Sequence, residues 1–269
     1  MLRKVTAWAA AVGVIGGLVA LPAIAESNKE EPREVHYSFE GPMGRFDQAQ
    51  LQRGLKVYRE VCHNCHSMNL VSFQALGEKG GPLYNAKYPK AAENPYVKAF
   101  AKGFDIEDID HDTGDKTKRP GIAADHIPAP FANDDAARAS NGGALPPDMS
   151  LLAKAREGGP AYIYSILTGY ENPPADFPAL NAGQHYNKYM PGHLIAMPQP
   201  LKDNAVTFDD GTKASLDQEA KDVSAFLYWA AEPKQDQRKQ MGFAVMIYLL
   251  ILAGLVYAAY KQVWKNESH

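Results

Sequence analysis

Two thiols and an imidazole stand close together at Cys62-His63-Asn64-Cys65-His66. Cysteines separated by two residues, with a histidine directly after the second, have the spacing that attaches a c-type haem. The thiols capture two vinyl groups on one side of a porphyrin as thioethers. This brings the next residue beneath the iron with an imidazole nitrogen free to bind it. On this reading Cys62 and Cys65 hold one covalently bound haem c, and His66 is the proximal iron ligand. The same residue types also serve as a redox dithiol or as half of a zinc site. A zinc site needs a second ligand pair, and the chain has only 2 cysteines. A thioredoxin-like dithiol follows a strand, whereas the residues before Cys62 read as a helix. His63 is expected to point away, at the surface.

One histidine leaves the sixth iron position open, and its occupant decides the chemistry. Methionine gives iron with a raised potential, suited to electron transfer, whereas a vacant position suits sensing or catalysis. Of 8 methionines, Met1 lies in the leader, Met241 and Met246 in a C-terminal apolar run, and Met43 before the first helix. Met68 is too close to His66 to reach over the ring. Met149 opens a helical pattern with Leu151 and Leu152, where packing is the expected role. Met197 is the preferred candidate, because Pro198 and Pro200 stiffen its apolar stretch and would present a thioether rigidly. Met190, in a polar tyrosine-rich loop, is the next.

The elements that must position these groups read as mainly helical. Asp47 is an N-cap with Gln50 three residues on, and Leu51, Leu55, Tyr58 and Cys62 form one apolar stripe, so a helix delivers the haem motif at its C-terminal end. Gly54 inside that helix costs roughly 1 kcal/mol against alanine, which a close helix crossing would explain. Residues 27–45 read as an extended arm. Residues 77–147 are rich in turn chemistry and read as long loops with one helix near Pro95 to Lys102. An acidic cluster there, from Asp105 to Asp115, is either a solvated loop or a docking surface for a basic partner. A helix is expected from Asp148 or Ser150 to Arg156, ended by Gly158-Gly159, and another from Pro160 to Gly169. Residues 171–192 return to loop. A last helix runs from Leu216 to Ala231, with Ser215 as N-cap, Gln218 completing a capping box, and an aromatic side that could pack on the Gly54 face.

Both ends carry membrane signatures. Arg3 and Lys4, an apolar run over residues 7–21, Pro22 and the small-x-small Ala23-Ile24-Ala25 read as a secretory signal over residues 1–25, with an uncleaved anchor as the alternative. Residues 241–260 form a run of twenty without a charge, which at 1.5 Å per residue spans about 30 Å, the hydrocarbon thickness of a bilayer. Tyr257, Tyr260 and Trp264 suit one interface, with Lys261 and Lys265 beyond it. Lysines and arginines flank both sides, so the signal peptide sets the orientation. The expected layout is a periplasmic domain over 26–236, an anchor over 237–261 and a cytoplasmic tail over 262–269, single-pass in a bacterial inner membrane. The formal charge is −3, and the acidic balance argues against nucleic acid.

These stretches together resemble the cytochrome c1 family, in a bacterial form close to the mitochondrial type. The resemblance is carried by residues 37–42 (YSFEGP), 52–54 (QRG), 62–68 (CHNCHSM), 141–148 (NGGALPPD), 167–170 (LTGY), 196–198 (AMP), 222–227 (DVSAFL) and 229–233 (WAAEP). It implies a class I cytochrome c fold, all-α around one haem and enlarged by long loop insertions, with a single C-terminal transmembrane helix. It selects Met197 as the sixth ligand and implies that Arg156 and Tyr162 hold the haem propionates, a role suited to a guanidinium; an exposed helix-end charge is the plain alternative for Arg156. Some bacterial relatives carry an extra cysteine pair in the loop before the methionine, and residues 171–192 have none. The implied function is electron transfer in ubiquinol:cytochrome c oxidoreductase, from a Rieske iron–sulfur protein to a cytochrome c, beside cytochrome b in a dimeric complex. The rival readings are a haem c subunit of another respiratory complex and a membrane-tethered haem gas sensor.

Overall fold

The computed structural model describes residues 30–265. The expected signal peptide and the end of the expected tail lie outside the described residues. The first helix, α1 (Gln48–Glu60), starts where Asp47 accepts from the amides of Ala49 and Gln50. Its apolar stripe of Leu51, Leu55 and Tyr58 enters the main core. Opposite it lies α6 (Leu216–Ala231), capped by the Ser215 hydroxyl, which accepts from the amide of Gln218. The expected capping box closes on that side alone: the Gln218 amide group turns instead to Asp222, 2.8 Å away.

The two helices cross at Gly54. A Cβ there would stand 2.1 Å from the Asp222 carbonyl oxygen and 2.7 Å from the Phe226 Cβ, so glycine sets the approach. Around the crossing, buried Asp222 accepts from Gln50 at 3.1 Å and from Arg53 at 2.7 Å. A carboxylate at zero exposure is tolerable because these charge-assisted bonds replace its water. Phe226 and Trp229 add stacked rings to the core.

Between these helices the chain forms shorter elements. They are α2 (Phe73–Leu76), α3 (Pro95–Ala101), α4 (Asp134–Ser140) and α5 (Gly159–Thr168), the last packing on α6. The helix expected near Pro95 is α3, opened by the Asn94 side chain. The helix expected over 148–156 is absent; the segment is a chain of turns. Asp148 spends its carboxylate on Ser67, Asn69 and Ser150, which fixes a local fold that competes with a helix start.

Two small antiparallel sheets complete the fold. Strands β1 (Asp105–Ile109) and β2 (Lys116–Pro120) make a hairpin from part of the expected loop region. Its acidic strand faces a basic one, with Glu107 opposite Lys118, and Arg119 holds both Asp108 and Asp125. Strands β3 (His185–Tyr186) and β4 (Leu194–Ile195) bracket the loop before Met197. The segment after Met197 returns to α6 through Glu219, fully buried, whose carboxyl accepts from the Val206 amide at 3.0 Å.

The arm before α1 is anchored rather than loose. Tyr37 and Phe39 are buried and stack on each other, and Phe39 stacks in turn on Tyr228. Helix α7 (Gln235–Val263) follows α6 after a short break at Glu232 to Lys234 and contains the charge-free run, whose side chains are exposed. It is long and apolar enough to cross a membrane.

Candidate functional site

Helix α1 ends directly in a one-turn 3-10 segment, Cys62–Asn64. The amides of Cys65 and His66 both donate to the Cys62 carbonyl, at 3.1 and 2.9 Å. The two thiols and the imidazole therefore issue from a single tight turn. Cys62 lies in the main core, and burial pushes its thiol up to about 12. A redox dithiol needs the opposite shift, since the thiolate is the reactive form.

His66 is buried, which lowers its pKa below the ordinary imidazole value against the opposing bond to Pro147 and charge of Asp148. Its Nδ1 lies 2.8 Å from the Pro147 carbonyl oxygen. A carbonyl can only accept, so Nδ1 carries the proton and Nε2 keeps the lone pair. That tautomer, fixed by a backbone acceptor behind the ring, is the one a metal-ligating histidine uses.

The Pro147 carbonyl is held in turn. Asp148 Oδ2 accepts from the Ser67 hydroxyl at 2.8 Å and the Asn69 amide at 2.9 Å. The Met149 amide donates to the Ser67 carbonyl at 2.8 Å, and the Leu70 amide to the Ser150 hydroxyl at 3.0 Å. These bonds staple residues 147–150 to 67–70. Met149 itself is buried in the core, the packing role expected of it.

Met197 is half-buried and touches both the main core and a second cluster of Tyr162, Ile166 and Tyr189, which Met190 and Ile195 also join. Its carbonyl accepts from the Tyr170 hydroxyl at 3.0 Å. Burial pushes the Tyr170 phenol up, so it stays a donor. The Met190 sulfur accepts from the Tyr162 hydroxyl at 3.8 Å, so one of its lone pairs is already engaged. Two of the expected site residues, Tyr162 and Met197, thus share one cluster. Arg156 stands apart from that burial, exposed in the turn that follows Ala153, with Nη1 donating to the Ala155 carbonyl at 3.2 Å.

His63 is not a surface residue as expected. It is 8% exposed, with its ring edge-on to Phe104 and its Nδ1 3.2 Å from the Tyr58 hydroxyl. The 3-10 turn rotates it inward, and burial drops its pKa to about 4, which keeps it neutral. Tyr58, fully buried, also donates to the His66 carbonyl at 3.3 Å. Sequence reasoning gave Asp148 only a helix cap and Tyr58 only a place in an apolar stripe, and it assigned no role to Pro147 or Tyr170. Pro147, Asp148 and Tyr170 nonetheless sit inside stretches that carried the family resemblance.

Paired thiols on one turn, a neutral imidazole with Nε2 available, and a thioether joining two apolar clusters fit a haem c. The donor set is soft sulfur and imidazole nitrogen, the ligands such iron takes.

Comparisons with known proteins point the same way. The model of the Cytochrome C1 family matches residues 37–267. The chain is 44% identical to "Cytochrome c1" of Rhodospirillum rubrum, covering 94% of this chain and 96% of that one. It is 41% identical to "Cytochrome c1 1, heme protein, mitochondrial" of Arabidopsis thaliana, covering 93% and 78%. It is also 44% identical to "Cytochrome b/c1" of Bradyrhizobium diazoefficiens over 92% of its own length, but spans 37% of that longer protein.

Proposed function

The chain belongs to the cytochrome c1 family, and on that premise we propose that it relays single electrons from a Rieske iron–sulfur protein to a cytochrome c. It does so as the haem c subunit of a ubiquinol:cytochrome c oxidoreductase, beside cytochrome b. The bound haem supplies a one-electron iron couple. Cys62 and Cys65 hold it as thioethers. His66 through Nε2 and Met197 through its sulfur would hold the iron, and a ligand pair that stays in place would keep rearrangement small. Tyr162, inside the Met197 cluster, and Arg156, at the exposed turn, hold the propionates. The chain itself makes and breaks no substrate bond.

The observation that carries this reading is the His66 Nδ1 to Pro147 carbonyl bond at 2.8 Å, which leaves Nε2 as the free nitrogen directly after the paired cysteines. The arrangement in the cell follows the same logic. Residues 1–25 export the chain, residues 26–236 stand in the periplasm, residues 237–261 cross a bacterial inner membrane, and residues 262–269 remain inside. The enclosing complex is dimeric.

The test is to solubilise membranes gently, purify through a tag on the C-terminal tail and record a reduced-minus-oxidised spectrum of the preparation. Bands of b-type haem and an iron–sulfur signal beside the c-type band are expected. A c-type haem arriving alone, or with copper-containing subunits, would leave the family assignment intact and overturn the partners.

A further inference from the structure

A cavity of about 400 Å³ opens at the foot of the domain, where the N-terminal arm, the start of α5, the end of α6 and the first turns of α7 meet. One wall is the ring stack of Tyr37, Phe39 and Tyr228, with centroids 5.0 and 4.7 Å apart. The polar lining is unusually mixed: Glu40, Gln235 and Lys239. Gln235 is 4% exposed; its amide nitrogen donates to the Phe39 carbonyl at 3.2 Å, while its Oε1 is buried with no hydrogen-bond partner. An acceptor buried in that state costs on the order of 1–3 kcal/mol unless a donor reaches it. Lys239 uses two of its three N–H groups on the Phe39 and Gly44 carbonyls, at 2.6 and 3.3 Å, which leaves one for a ligand.

The cavity also has a definite depth. Lys239 stands two residues before Met241, where the charge-free run of α7 begins. This is the headgroup level if α7 is the membrane anchor, and the inference rests on that reading. We propose that the cavity binds the headgroup of phosphatidylethanolamine. The phosphate takes the remaining N–H of Lys239. The primary ammonium donates to Gln235 Oε1 and faces the Glu40 carboxylate, and the ring stack packs against the glycerol end. The lining discriminates among lipids: a choline headgroup has no N–H to give Gln235, and a glycerol headgroup has no cation for Glu40.

The test uses the intact complex, purified in detergent, stripped of loosely held lipid and assayed by mass spectrometry for phospholipid per c-type haem. Wild type is expected to retain one phosphatidylethanolamine that Gln235→Leu loses, with at least a tenfold weaker retention. The variant Glu40→Gln, at an exposed residue, is expected to lose the preference for phosphatidylethanolamine over phosphatidylcholine when stripped complex is re-lipidated with equal amounts of each. Haem per polypeptide serves as the folding control. If Gln235→Leu loses its haem, the Glu40→Gln preference decides alone. Equal retention of both lipids by wild type, or no change in preference in Glu40→Gln, would overturn the site. Alkaline carbonate extraction of the same membranes separates the two levels: release of the chain sinks the anchor, whereas an anchored chain without bound phosphatidylethanolamine sinks only the site.

Discussion

The Nδ1 of His66 and the carbonyl oxygen of Pro147 meet at 2.8 Å across 81 positions of sequence. The bond exists because Asp148 pins the segment behind His66 through Ser67, Asn69 and Ser150. Replacing Asp148 by alanine removes a charged acceptor of three bonds and is expected to cost about 3 kcal/mol of stability. It should also lower the haem midpoint potential, since the imidazole loses its fixed orientation. Thermal melting and a redox titration read both, and an unchanged potential would uncouple this loop from His66.

Met197→Leu is expected to lower the midpoint by a few tenths of a volt, scaled to the about 0.8 V that axial ligation spans. Reduced Met197→Leu protein should also bind carbon monoxide rapidly, where the parent resists it. Met190→Leu, which removes a sulfur already facing Tyr162, should change neither. The opposite pattern would transfer the axial role to Met190.

Tyr170→Phe deletes only the hydroxyl that holds the Met197 carbonyl. The cost to stability should be about 1 kcal/mol. The informative readout is the weak charge-transfer absorption of methionine-ligated ferric haem, which should diminish at a lower pH or temperature than in the parent. Identical behaviour would leave Tyr170 as a packing residue.

Gly54→Ala drives a methyl into the backbone of α6 at Asp222. Rigid carbonyl and Cβ atoms cannot move aside as a flexible side-chain tip could, so a loss of roughly 3 kcal/mol or more is expected. Accumulation of haem-loaded chain in membranes and its melting temperature measure this. Near-normal melting would mean that the helices part at little cost.

Glu232 carries the pH prediction. Lys154 holds its carboxyl below the usual glutamate range, burial opposes, and Arg238 adds to the lowering. The folded state therefore binds this proton less readily than the unfolded one, and the contribution is present above the ordinary value of about 4.3. It is lost as pH falls through the depressed folded value. Glu232→Gln should melt lower than wild type at neutral pH, with the gap closing under acid conditions. A constant gap would show that the pair does not titrate with folding.

The helices that carry the site were legible because periodicity and caps agree: Asp47 and Ser215 begin α1 and α6, and Gly54 marks their crossing. What escaped was set by long-range partners. The segment at 148–156 has a helical pattern, yet Asp148 finds better acceptor work on Ser67 and Asn69, 81 and 79 positions away. His63 is polar and neighbours a ligand, so its burial against Phe104 and Tyr58 depends on a turn that no spacing rule reveals. The hairpin escaped too, because Asp, Glu and Lys are poor strand formers; Glu107 faces Lys118 across it, and Arg119 ties Asp108 from the other strand. The orienting group behind His66 is a backbone carbonyl, which leaves no mark in residue type.

Helix α7 is also more than a tether. At 29 residues it is about 43 Å long, well beyond the roughly 30 Å of a hydrocarbon layer, and the start of its surplus length is locked into the body. Gln235 and Lys239 grip the Phe39 carbonyl, Asp236 accepts from the Phe46 amide at 3.3 Å, and Gln237 reaches the Lys79 carbonyl. A domain seated on such a post keeps one height above the lipid and one bearing toward it. In the proposed function the haem is thus a fixed address, and a donor or acceptor out of its reach would have to come to it.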